Sequence, residues 1–248
     1  IIMSYPWQFL SPTVRSRDLI QSGSLGEIQY AVSIFASGPY PLYKGDDRSE
    51  NPAMKGKYPV VGPGDVYSDP ERSGGGQGHL QVTHSAALLF FITGLQAVAV
   101  QAQMNNLDVA VDVVDAITAR LDNGALATIG STGAISGGRG KLDIQIYCSQ
   151  GWIDLDYIAN TAIVHYADGS EESLDPDSSD GGNDFGEAAP YLYPADAPAN
   201  NLVEIILGRH GNRSPGTIGW RTVELLDAAY RSAAEDGQMV TVTSLYST

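Results

Sequence analysis

Val113-Val114-Asp115-Ala116-Ile117-Thr118-Ala119-Arg120-Leu121 and Ala125-Leu126-Ala127-Thr128-Ile129-Gly130-Ser131, joined by Asp122-Asn123-Gly124, read as two strands and the tight turn between them. Downstream, Gln150-Gly151 joins Leu142–Ser149 to Trp152–Tyr157 in the same manner. Upstream, Ile28, Tyr30, Val32 and Ile34 alternate with Glu27, Gln29, Ala31 and Ser33, the period-2 signature of a half-buried strand over Glu27–Ala36. Further strands are expected at about Leu95–Gln103, Ala162–Tyr166 and Met239–Thr243. Consecutive hairpins make an antiparallel sheet. Helical segments stand before, between and after these strands rather than alternating with them, so the fold class is α+β and not a doubly wound parallel sheet.

A second stretch, Gly74-Gly75-Gly76-Gln77-Gly78-His79-Leu80-Gln81-Val82-Thr83-His84, opens a nearly all-apolar helix that runs to about Thr93. Gln77, Gln81, His84 and Ser85 recur at i, i+4, i+7 and i+8, which places them along one face of a regular helix. Polar groups carried into a buried helix cost on the order of 1–3 kcal/mol each when they lack partners. The stripe therefore either lines a cavity or is satisfied inside the core. On the functional reading, Gln77, His79 and Gln81 are substrate-binding candidates and His84 is the catalytic candidate.

The run Gly74-Gly75-Gly76, then His84, then Leu88-Leu89-Phe90-Phe91-Ile92-Thr93-Gly94 resembles a helix of the glucose-fructose oxidoreductase / inositol dehydrogenase (Gfo/Idh/MocA) oxidoreductases. Arg17 to Ile28, containing Leu19-Ile20 and Leu25-Gly26-Glu27-Ile28, is similar to that family's entry into the first strand of its second domain. Asn201 to Gly208 and Thr222 to Ala233 resemble its closing helices. The resemblance implies an open sheet with helices on one face and a second subunit against the other. It also implies that His84 orients a substrate hydroxyl or exchanges its proton. The family often carries an acidic residue four before this histidine; here Leu80 stands there, with Gln81 beside it, which can hydrogen-bond but cannot transfer a proton.

In that family a Rossmann domain comes first, with a glycine-rich phosphate loop and a Glu-Lys-Pro motif whose lysine works at the reacting carbon. Neither motif occurs in this sequence. The nearest glycine run has His79 where the third glycine belongs, and none of Lys44, Lys55, Lys57 and Lys141 lies between Glu and Pro. The expectation is a single C-terminal domain, residues 1–248, of a larger oxidoreductase. NAD or NADP would be bound mainly by the missing domain, with no cofactor expected for this chain alone.

Length and composition agree with one sizeable domain, since 43% of the 248 residues are hydrophobic. A net charge of −15, from 14 Lys and Arg against 29 Asp and Glu, argues against nucleic acid or an anionic membrane as partner. No apolar run approaches the roughly 20 residues that span a bilayer, and a cytoplasmic origin is the default expectation. The lone Cys148 alternates with Leu142, Ile144 and Ile146 and reads as a structural thiol.

Two irregular stretches stand out. Residues 38–76 hold six prolines and read as a lid or binding loop. Residues 168–187 form an acidic loop without Lys or Arg, read as solvated surface. Within it, Asp175 to Gly181 approaches a calcium loop but has its glycine one place late and no glutamate at the twelfth position. No metal site is expected: His79 and His84 are five apart, off the spacing of a helical zinc pair, and no Gly-x-Ser-x-Gly elbow marks a serine hydrolase. A glycosidase reading rests only on Asp184 and Glu187 in the acidic loop.

The leading functional expectation is thus the substrate-binding and oligomerisation domain of an NAD(P)-dependent oxidoreductase acting on a sugar, cyclitol or related polyol. It is expected to be at least a dimer through the sheet face, because the apolar set with Val113, Ile117 and Leu121 and the opposed sets cannot all lie under the same helices. The alternative is a non-catalytic carbohydrate-binding or assembly domain.

Overall fold

The structure is a computed structural model that describes residues 1–45, 64–137, 140–176 and 194–244. Among the described residues, nine strands form one open sheet: β1 (Ile28–Ala36), β2 (Ala97–Asn105), β3 (Val114–Leu121), β4 (Leu126–Thr132), β5 (Lys141–Cys148), β6 (Gly151–Asp156), β7 (Thr161–Tyr166), β8 (Glu171–Ser173) and β9 (Val240–Thr241). Their order across the sheet is β8-β7-β6-β5-β1-β4-β3-β2-β9. All neighbours are antiparallel except β1 and β4, which run parallel with Tyr30 opposite Leu126. The α+β, mainly antiparallel architecture agrees with the sequence reading. The β3–β4 turn is the expected one, with Gly124 at φ 89°, a backbone conformation that favours glycine.

Three features depart from that reading. The strand β1 does not begin the meander but sits mid-sheet, separating β4 from β5. An edge strand, β8, occupies part of the acidic loop; all three of its residues are exposed, so no inward apolar pattern announces it. Of the proline-rich loop, Tyr40–Tyr43 (α2) and Pro70–Ser73 (α3) are short helices. Residues 46–63 and 177–193 lie outside the described residues, and with them Asp184 and Glu187.

The helices α1 (Ser11–Gln21), α4 (Thr83–Thr93) and α6 (Gly216–Ala234) cover one sheet face, with α5 (Ala197–Ile206) beyond them. Inward side chains alternate along the strands: Asp115, Ile117, Ala119 and Leu121 of β3 are buried while Ala116, Thr118 and Arg120 are exposed. The central helix α4 is apolar all round because it is enclosed by α1, α6 and the sheet, and every residue from Ser85 to Thr93 is buried. Cys148 packs half-buried against this core, and burial pushes its thiol up to about 11, which keeps it protonated. Among the described residues no helix is long and apolar enough to cross a membrane.

Leu89 of α4 is 1% exposed and belongs to the buried apolar core under the sheet. Leu89→Ala is expected to cost about 2–5 kcal/mol, read as a lower urea midpoint with an unchanged slope.

Candidate functional site

The entry to α4 is shaped by one carboxylate. Asp112 lies just before β3, and its Oδ1 accepts hydrogen bonds from the Gly76 amide (2.7 Å) and the Tyr230 hydroxyl (2.7 Å). Its Oδ2 accepts the Gly78 amide at 2.7 Å, and its backbone carbonyl accepts the Gln77 amide at 2.8 Å. Glycine is required here by contact: a Cβ on Gly75 would overlap the Tyr230 hydroxyl, and one on Gly76 would overlap the Asp112 carbonyl. From this knot the chain makes a π turn over Gly78–Val82 before α4 begins. Such wide turns recur at functional sites.

The π turn breaks the stripe expected from a regular helix. Gln77 and Ser85 point into the core, fully buried, whereas Gln81 and His84 stay half-buried. The Gln77 carboxamide is spent on the fold: Oε1 accepts the Tyr43 hydroxyl (2.7 Å) and Nε2 donates to Ser131 Oγ (2.7 Å), which in turn donates to the Phe35 carbonyl. His79 lies with its face on Tyr230, centroids 5.1 Å apart and 11° between planes, and keeps an exposed edge. Partial burial lowers its pKa, while the Asp112 charge works the other way. Gln81 makes no side-chain hydrogen bond among the described residues.

His84 sits between two aromatic rings that the sequence reading did not single out. Its ring meets Tyr5 edge-on at 5.7 Å and Trp7 at 5.1 Å. The Nδ1 atom is sealed from solvent without a partner among the described residues. Burial lowers the pKa from 6.5 to about 4, so the imidazole is neutral around pH 7. A neutral imidazole has one nitrogen that donates and one that accepts, which suits a hydroxyl ligand.

Asp115 is the other unusual group. It is 2% exposed, and neither oxygen meets a donor among the described residues. Its carboxyl neighbours Asp112, and two carboxyls can share a hydrogen bond only when one holds a proton. Burial first, then the Asp112 charge, pushes the Asp115 pKa up to about 8. An acid two residues before Ile117, on the same inward face of β3, was the signal available in the sequence for this group. Tyr230 offered none: its role depends on where α6 packs. Among the described residues no group of three or more His, Cys, Asp or Glu side chains is arranged to hold a metal ion.

The sequence model for the GFO/IDH/MocA C-terminal domain matches residues 13–154, more than half of the chain. The chain belongs to the GFO/IDH/MocA family. The resemblance noted from the glycine run and His84 is therefore correct. No curated protein sequence matches the chain. Among solved structures it is similar to aldose-aldose oxidoreductase from Caulobacter crescentus complexed with glycerol, with 18% identity, a TM-score of 0.69, and coverage of 97% of this chain and 63% of that one. An oxidoreductase from Agrobacterium radiobacter in complex with NAD+, L-tartaric acid and magnesium matches at 18% identity and TM-score 0.68, over 97% of this chain and 64% of that one. Levoglucosan dehydrogenase in complex with NADH and levoglucosan matches at 17% and 0.70, over 98% and 66%. At such identities the likeness establishes the GFO/IDH/MocA C-terminal fold. The chain spans 63–66% of the length of these three structures.

The buried acid makes a pH prediction. The folded chain holds the Asp115 proton up to about pH 8, whereas the unfolded chain releases it near 3.8, so the folded state binds more protons between those values. Stability then falls as pH rises through that window, by at most about 1.4 kcal/mol per pH unit. His84 acts oppositely, losing stability as pH falls from 6.5 towards 4, so the informative quantity is the difference between wild type and Asp115→Asn. Melting curves at pH 5 to 9 are expected to show the variant gaining on wild type as pH rises. Parallel curves would refute a buried protonated acid.

Proposed function

We propose that this chain is the substrate-binding and oligomerising domain of an NAD(P)-dependent oxidoreductase that acts on a carbinol carbon of a sugar, cyclitol or related polyol. The observation that carries the reading is His84: a neutral, half-buried imidazole held between Tyr5 and Trp7 at the end of a π turn. With the ring unprotonated, Nε2 can accept the O–H of a substrate alcohol and hold its oxygen in one orientation. Gln81, nearly one turn earlier, contributes an uncharged carboxamide able to bind a second hydroxyl. The Agrobacterium radiobacter oxidoreductase is complexed with NAD+ and levoglucosan dehydrogenase with NADH, and glycerol and levoglucosan are bound in such similar structures.

The nucleotide itself does not fit this chain's glycine turn. The amides of Gly76 and Gly78, which a diphosphate would need, already donate to Asp112. The proposal therefore assigns cofactor binding to the part of the enzyme beyond the span this chain shares with its relatives.

In the full-length enzyme, His84→Asn is expected to lower kcat by roughly 10²–10⁴-fold when turnover is followed by nicotinamide absorbance, with the melting temperature retained. Gln81→Ala is expected mainly to raise KM, by the equivalent of about 0.5–1.5 kcal/mol. If His84→Asn lowers the melting temperature by several degrees while activity per folded molecule holds, His84 is a core residue and the reading fails.

The uncovered sheet face supports the oligomerising part of the proposal. Tyr30, Tyr147, Trp152 and His165 stand in one row across β1, β5, β6 and β7, stacked at 6.1, 5.3 and 3.8 Å. Leu126, Ile34 and Ile163 around them are 55%, 42% and 38% exposed, an apolar patch of the kind that marks an interface. Because the rings cover one another's faces, they leave little open aromatic surface for a sugar to stack on, which favours assembly over a carbohydrate platform. The occupant proposed is a second copy of the chain, packed sheet to sheet. Light scattering at micromolar concentration is expected to give a dimer or larger species, and Ile34→Lys with Leu126→Lys a monomer; a monomeric wild type counts against the assignment.

A further inference from the structure

A cavity lies at the far end of α4 and is independent of the His84 reading. Its volume is about 430 Å³, and its lining includes Arg17 on α1, Phe91 on α4, His210 and Arg213 on the loop before α6, and Arg221 on α6. From His84 to Phe91 is seven residues, about 10 Å along the helix axis. In a chain of net charge −15, three of the ten arginines meet here, and among the described residues no Asp or Glu lines the cavity.

The disposition of those charges is specific. Arg17 is held by Asp18, whose Oδ1 accepts from Nη2 at 2.7 Å, and its guanidinium lies 4.9 Å over the Phe91 ring. Arg221 donates one hydrogen bond, from Nη1 to the Gly94 carbonyl at 3.3 Å, while its Nε is sealed from solvent without a partner among the described residues. The Arg213 guanidinium and the His210 ring make no hydrogen bond or ion pair among the described residues. Three guanidiniums against the single Asp18 carboxylate leave a local charge near +2.

The loop that carries Arg213 is braced before any ligand arrives. Asn201 donates to the Gly211 carbonyl at 3.1 Å and accepts the Arg213 amide at 3.1 Å. Asn212 donates to the Ile1 carbonyl at 2.7 Å, and the Met3 amide donates to the Ser214 carbonyl at 2.7 Å. An unpaired arginine carried on a braced backbone is suited to recognition, because its planar fork matches two oxygens of an oxyanion at once.

We propose that this cavity binds a phosphate monoester. The phosphoryl group carries close to two negative charges at neutral pH, which matches the local charge, and it offers three oxygens to the three guanidiniums. The cavity is too large for phosphate alone and falls in the range of small-molecule sites, so the ester's organic body has room against Phe91 and Ile218.

The test is calorimetry on the 248-residue chain at constant ionic strength, with glucose 6-phosphate, inorganic phosphate and glucose as probes. Saturable one-to-one binding of glucose 6-phosphate is expected, with inorganic phosphate at least several-fold weaker and glucose showing no heat at the same concentrations. Arg213→Gln, a change at an exposed side chain, is expected to weaken glucose 6-phosphate at least tenfold without moving the ligand-free melting temperature. Arg221→Gln is expected to weaken it similarly. Absence of saturable binding, or an affinity unchanged in Arg213→Gln, overturns the site. Equal affinity for inorganic phosphate and the ester overturns its assignment to an ester.

Discussion

Asp112 accepts the amides of Gly76 and Gly78 and the hydroxyl of Tyr230, and the remainder of the site depends on where that leaves the chain. A charged acceptor with three short donors holds its groups more firmly than neutral hydrogen bonds would. It joins three elements remote in sequence: the glycine turn, the start of β3 and the long helix α6. With Gly78 fixed there, the π turn delivers α4 at one rotation, and that rotation decides that Ser85 faces the core while His84 stays half-open between Tyr5 and Trp7. Replacing Gly75, Gly76 or Gly78 would push Tyr230 or the Asp112 backbone away and alter that rotation.

The same burial that builds the knot sets the charge state of its neighbours. Asp115 is driven to hold a proton and His84 to lose one, both chiefly because a low-dielectric surrounding disfavours the charged form. The sheet domain thus presents a neutral histidine at the proposed substrate end. Three of the protein's ten arginines, Arg17, Arg213 and Arg221, gather instead at the other end of α4. Two ends of one buried helix therefore differ in what they could bind: hydroxyl groups at one, an oxyanion at the other.

The sheet separates these two ends from the face proposed for assembly. Its inner face is filled by α1, α4 and α6, and its outer face carries an aromatic row whose rings already satisfy one another. The parallel pairing of β1 with β4 follows from the long excursion between β1 and β2, which carries α4 across the inner face and returns the chain to the far side of the sheet. Without that excursion β1 would be an edge strand, and the aromatic row would lack its Tyr30 end.

The sequence by itself determined the class of fold and the family, and it offered the run around His84 as the candidate site. Period-2 patterning and the Asp122-Asn123-Gly124 turn specify strands and a hairpin because both act over a few residues, and the run from Gly74 to Gly94 carries its family pattern in contiguous order. What only the tertiary structure decided involves groups far apart in the chain. Gln77 proved to be tied to Tyr43 and Ser131, which lie 34 and 54 residues away, and no local signal announces such a partner. The strand β8 escaped notice because an exposed edge strand has no buried face to pattern, and the central place of β1 because strand order is set by how α4 fills the space above the sheet. The aromatic enclosure of His84 and the gathering of three arginines depend on helix packing, which brings together residues whose spacing in the sequence carries no period at all.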